Sequence, residues 1–197
     1  MRLEKVATIR IGAVSVRKKS KEGTIPSHYY KALNLKCLTE EGNIDINFAD
    51  EYPTEKELKP ELLTQKGDVL IRLSFPYTSV LIDEKACGLF VPSHFAILRA
   101  NPKMILPEYI LWFLRRECIY QQILQNSSGS TAFGTISSGF IGSLNIRILP
   151  IKKQKALGQL LLLSSREQEL LNLLAKEKAI LHKETLNIIY DKFKGEN

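Results

Sequence analysis

The stretch Leu144-Asn145-Ile146-Arg147-Ile148-Leu149-Pro150-Ile151-Lys152-Lys153-Gln154 decides how this chain is built, because the composition changes across it. Residues 1–150 hold all eight prolines, most of the glycines and nearly all the aromatic residues. Residues 151–197 hold no proline and are dense in Leu, Lys and Glu. Such a change separates a mixed globular body, residues 1–150, from a helical region, residues 151–197.

Downstream of the boundary the pattern predicts two helices. The first covers about 152–163. Ser164-Ser165-Arg166-Glu167-Gln168 then offers two overlapping capping boxes, Ser164 to Glu167 and Ser165 to Gln168, for a second helix over about 166–193. Leu170, Leu174, Leu181 and Ile188 form its apolar stripe, while Glu177 and Glu184 interrupt the heptad. That favours a short antiparallel or mixed, coiled-coil-like helix pairing over a long parallel zipper. The alternative is a helix docked on its own domain.

Upstream, short β-branched runs alternate with turn residues. Strands are expected within Val6–Val16, at Val69–Leu73, Ser79–Asp83 and Phe95–Arg99, and as a hairpin of Tyr30–Thr39 with Ile44–Phe48 around Gly42-Asn43. Lys66-Gly67-Asp68 reads as a tight turn and Leu58–Leu63 as a short helical turn. Leu106-Pro107-Glu108 places proline and an acid where a helix start favours both, and Ile110, Leu114 and Cys118 give that helix its buried stripe. The fold class is therefore α+β: a twisted, mostly antiparallel or mixed sheet, nearly closed, with packed helices, followed by a long helical region.

The chain has 197 residues, with 28 Lys and Arg against 21 Asp and Glu, a net charge of +7, and a pI near 9.3. This excess favours a polyanionic partner. Cys37, Cys87 and Cys118 form no C-x-x-C pair and no even disulfide set, so buried thiols in a reducing compartment are expected. The aliphatic run Leu160–Leu163 is far short of a bilayer span, and charges at Arg2, Glu4, Lys5 and Arg10 leave no room for a signal-peptide core. The expectation is a cytoplasmic protein that makes no membrane contact.

Catalytic patterns are missing. His28, His94 and His182 are far apart, and no G-x-S-x-G, H-E-x-x-H, P-loop or G-x-G-x-x-G motif occurs. Ser74-Phe75-Pro76-Tyr77 approaches a base-gripping methyltransferase motif but lacks its first proline, and Glu57-Leu58-Lys59 is a nuclease-like near-miss followed at once by Pro60. No catalytic residue, metal or cofactor is expected. What remains is binding. Arg10, Arg17, Lys18, Lys19 and Lys21 are opposed only by Glu22, and cations so clustered release counterions from nucleic acid. Ser127–Thr135 is a run of small hydroxyl residues and glycines able to approach a duplex closely. Each segment also reads as an ordinary solvated loop.

Taken in order, several segments resemble the specificity subunit of type I restriction-modification systems. They are Leu3–Gly12, Leu62–Ile71 with its Gly67-Asp68-Val69-Leu70 core, Pro107–Leu114, Ser128–Thr131, and the boundary stretch Leu144–Gln154. The resemblance implies a non-catalytic subunit that reads double-stranded DNA and docks a methyltransferase subunit, and in some complexes a restriction subunit, through its helices. That family carries two recognition domains separated by two antiparallel helices; here there is one of each. The chain is then either a half-subunit that pairs with a second copy or with another half, or a recombining cassette. On the DNA-reading model the contacts are expected from Arg17, Lys18, Lys19, Lys21, Tyr29, Tyr30, Arg72, Tyr77, Ser128, Ser130 and Thr131, and the helix interface from Leu170, Leu174, Leu181 and Ile188. A scaffold protein that uses only its C-terminal helix is the competing reading.

Overall fold

In the computed structural model, the structure describes residues 1–15, 25–39, 42–127 and 134–195. Residues Met1–Leu161 form one compact unit and Leu162–Asn197 a second.

The first unit is built on an open four-stranded antiparallel sheet, with strands β1 (Ala7–Ile11), β4 (Asp68–Arg72), β5 (Ser79–Leu81) and β6 (Phe95–Ala100) in the order β1-β6-β4-β5. Among the described residues β1 and β5 are its edges, so the sheet is open where strand spacing predicts it nearly closed. Val69, Ile71, Leu73, Ala96 and Leu98 face one core, covered by helices α1 (Pro107–Leu114), α2 (Glu117–Gln125) and α3 (Ser138–Ser143). Leu70, Val80, Ile82, Phe95 and Ile97 face a second core closed by Leu33, Cys37, Leu89 and Val91. Because both faces are covered, β4 carries an unbroken apolar run instead of alternation. Gly67 opens it with a φ of +84°, a conformation that glycine takes without steric cost.

A separate two-stranded ribbon pairs β2 (His28–Ala32) with β3 (Asp50–Thr54), placing Tyr30 opposite Tyr52 and Tyr29 opposite Pro53. Tyr52 stacks on Phe90 with ring centroids 4.3 Å apart, and its hydroxyl donates to the carbonyl of Ser15. The expected long hairpin is thus replaced. Among the described residues the bridge Leu38–Ile44 and the bond from Thr39 N to Asn43 O remain around the turn, and the partner of β2 is the acidic, proline-containing β3.

Two helix expectations are corrected. The helix starting at Pro107 ends at Leu114, and α2 begins after an extended Arg116. Arg115 donates through Nη2 to the carbonyls of Ser79 (2.8 Å) and Gly42 (2.6 Å), and Arg116 lies over the Trp112 ring at 5.3 Å. The break shifts the stripe by one residue, so Ile119 and Ile123 are buried while Cys118 is exposed. Cys87 is exposed as well; of the three thiols only Cys37 is buried.

The region after Pro150 is one helix, α4 (Ile151–Gly195), and not two. A cap needs extended backbone at the capping residue. With neither glycine nor proline beside Ser164 and Ser165, carrying a serine inside a helix costs only about half a kcal/mol, less than nucleating again. The first turns of α4 belong to the body. Leu157 and Leu161 pack on its core, and a Cβ at Gly158 would sit 2.5 Å from the Cβ of Glu108. The fully buried Gln154 accepts from Leu106 N at 2.9 Å and donates to the carbonyls of Leu149 (2.7 Å) and Met104 (3.1 Å). Immediately upstream, Ile146 N donates to Met1 O at 2.8 Å and Leu3 N to Leu144 O at 2.9 Å. The boundary stretch read first in the sequence therefore closes the body as well as opening the helix.

In the second unit the expected stripe is solvent-facing, with Leu170, Leu174, Leu181 and Ile188 exposed between 47% and 59%. No described helix is long and apolar enough to cross a membrane.

Candidate nucleic-acid interface

Of the DNA-contact candidates drawn from the sequence, Arg72 lies at one end of the four-stranded sheet. The antiparallel register sets Arg72, the last residue of β4, opposite Phe95, the first of β6, and Ile11, the last of β1, opposite Ala96. Beyond the strands, Gly12 N donates to Phe95 O (2.9 Å), Leu73 N to His94 O (2.9 Å) and Ile136 N to Leu73 O (2.9 Å), and Ser74 bridges to Thr135. The two sequence-defined binding segments are therefore tethered to the same sheet end, the basic one through Gly12 and the hydroxyl-rich one through Gly134 and Thr135. Their own candidates, Arg17, Lys18, Lys19, Lys21, Ser128, Ser130 and Thr131, lie outside the described residues.

Arg72 and Ser74 share a face because residues two apart in an extended chain point the same way. The Arg72 Nε donates to Ser74 Oγ at 3.1 Å. Burial lowers the pKa of the half-buried Arg72, and a guanidinium stays protonated in a protein near neutral pH. Its neighbour His94 packs against the Phe95 ring at 4.7 Å, and its Nε2 is buried without a hydrogen-bond partner. Burial first, and the Arg72 charge second, hold the His94 imidazole below the usual histidine range.

The tyrosines divide. Tyr29 is 76% exposed on the ribbon. Tyr30 is half-buried, and its hydroxyl accepts from Leu58 N at 3.1 Å. Tyr77, expected at the interface, is a core residue instead: it is 3% exposed and its hydroxyl donates to Gly134 O at 2.7 Å. Tyr77 has a φ of +55°, which turns the chain so that the ring points inward while Phe75 stays 40% exposed. An open cleft of about 530 Å³ lies beside this turn, walled by Phe75, Tyr77, Tyr120 and Arg115.

Sequence reasoning missed Ser74 as an orienting group. The signal was the Arg72-Leu73-Ser74 spacing at the end of the Val69–Leu73 strand. Among the described residues, no group of three His, Cys, Asp or Glu side chains is placed to hold a metal.

No family model and no curated protein matches the chain. Solved structures do. A chain from a structure of the complex assembly and conformational transition of the type I R-M system superposes with a TM-score of 0.66 at 18% identity, covering 89% of this chain and 44% of that one. The HsdS subunit of Thermoanaerobacter tengcongensis gives a TM-score of 0.64 at 18% identity with the same coverages. The fold is that of a type I specificity subunit. The S subunit of the type I restriction-modification system from M. genitalium matches at 0.50 and 14% identity, over 86% of this chain and 39% of its own. The match thus spans less than half the length of each of these three chains.

Proposed function

We propose that this chain is a non-catalytic DNA-specificity half-subunit of a type I restriction-modification system. Its body reads one half of a split duplex site. Its helical region pairs with that of a second copy, or of another half-subunit, and docks the methyltransferase subunit and, where present, the restriction subunit. A homodimer then reads two copies of one half-site in inverted orientation.

The observation that carries this reading is the sheet end, where the half-buried, charged Arg72 lies beside the tethers of the basic and hydroxyl-rich segments. Cationic contacts to phosphate supply affinity and set register, and oriented side chains in the groove supply discrimination. The fold match over 89% of the chain supports the family role. The exposed leucines of α4 fit helix pairing and fit a scaffold role equally.

Binding the purified chain to a randomised duplex pool separates the two. A specificity half-subunit enriches a defined sequence, loses affinity steeply with salt, and directs methylation of that sequence only when a methyltransferase subunit is added. Replacing Lys18 and Lys19 with Glu weakens binding to every duplex alike. A scaffold enriches nothing.

A further inference from the structure

The arginines of the body are used in different ways: Arg116 and Arg147 are exposed, and Arg116 lies over Trp112. Arg99 is spent on the buried Asp68 in a two-point pair at 2.7 and 2.8 Å, and Arg115 is spent on backbone carbonyls. Arg10 faces Glu61 at 3.9 Å. Arg72 forms no ion pair with any described carboxylate. It is half-buried, and its Nε is held by Ser74, so the two terminal nitrogens project as a planar fork with no described partner. A partly desolvated guanidinium without a counter-charge is costly to keep unless a ligand supplies the acceptors.

The geometry points to Arg72 as a guanine-reading residue, its Nη1 and Nη2 donating to O6 and N7 of one guanine in the major groove of each half-site while Ser74 positions the fork. This assignment rests on the DNA-reading role proposed above and adds which base is read and by what. Phosphate binding asks only for charge, which a lysine supplies, whereas a fork fixed through Nε matches the paired acceptors that guanine alone presents in the major groove. Through Nε, Ser74 acts as a positioning residue: it restricts the rotation of the guanidinium plane without touching the base. The unpartnered, desolvated His94 adds no second cation beside the fork at neutral pH.

The test uses the full chain and its own selected duplex. Wild type, Arg72→Lys and Ser74→Ala are each put through selection from randomised DNA, and every guanine of the wild-type motif is then replaced singly by 7-deazaguanine, which lacks the N7 acceptor. One such replacement is expected to cost wild type about 5- to 100-fold, the span of a good bidentate contact. Arg72→Lys loses preference at that same position and is indifferent to the replacement. Ser74→Ala shows a smaller penalty there, while affinity for unrelated duplex and its salt dependence stay within about twofold in both variants.

A wild-type motif in which no 7-deazaguanine position matters, or an Arg72→Lys chain that selects the wild-type motif unchanged, overturns the assignment and leaves DNA reading standing. A uniform loss on all sequences makes Arg72 a phosphate contact and overturns it too. Failure of wild type to select any sequence removes the DNA-reading role itself. The DNA-side replacement leaves the protein untouched, so a variant that fails to fold does not mask the answer.

Discussion

The side-chain carbonyl of Gln154, in the first turns of α4, accepts the backbone N–H of Leu106 at the start of α1, at 2.9 Å. The amide nitrogen of the same side chain donates to Leu149 and Met104, so one buried glutamine satisfies three main-chain groups.

Gln154→Leu keeps the volume and removes every bond. Each buried main-chain group left unpaired costs about 1–3 kcal/mol. The body is therefore expected to lose at least about 2 kcal/mol, read as a lower urea midpoint. A change below about 0.5 kcal/mol refutes the role given to this side chain.

Asp68→Asn tests the buried pair with Arg99. Asp68 is 1% exposed and also accepts from Gln65 N at 2.9 Å, whereas the Arg99 side chain is 36% exposed and regains some solvation when its partner is lost. The cost is expected near 2 kcal/mol, below the about 3–5 kcal/mol of a fully buried broken pair. Urea unfolding at pH 7 measures it. DNA selectivity should not change, because this arginine is committed inside the fold.

His94 sets a pH dependence. Its pKa in the folded chain lies below the ordinary 6.5, so the unfolded chain takes up the proton first as pH falls. The stability that neutral His94 contributes is thus fully present above about pH 6.5 and is lost progressively below it. Urea midpoints from pH 7.5 to 5 should fall more steeply for wild type than for His94→Phe. Arg72→Gln removes the nearby positive charge and should raise the His94 pKa seen by NMR titration.

Leu174→Glu combined with Leu181→Glu addresses the helix pairing. Burying a leucine is worth about 1.5–3 kcal/mol, and a symmetric pair loses four such side chains. Sedimentation is expected to move from dimer to monomer while the melting of the body is unchanged. A wild-type chain that sediments as a monomer at high concentration eliminates the pairing.

What was legible in the sequence was local. Val69–Leu73, launched by the Lys66-Gly67-Asp68 turn, was readable as a strand, though not that both its faces are covered, and Leu106-Pro107-Glu108 carries its helix start in its own chemistry. β3 was not legible, since Asp50, Glu51 and Pro53 all disfavour strand and are held by pairing to β2 and by the Tyr52–Phe90 stack. The break between α1 and α2 was hidden because Arg115 reaches Ser79 and Gly42, partners distant in sequence. Of the candidate site, Arg72 was visible as a cation at a strand end. The inward turn of Tyr77 was not, because it depends on a left-handed backbone and on the Gly134 carbonyl across the sheet end.

The pairing of Leu144–Ile146 with Met1–Leu3 brings the entry and the exit of the globular part side by side, within a hydrogen bond of one another. Chain ends so placed make a globule portable: grafted between unrelated helices or circularly permuted, it should keep its internal bonds with only a short joint at the seam. On the proposed DNA-reading role, a change of specificity would then be a transplant of the whole body, with the helical region left unaltered.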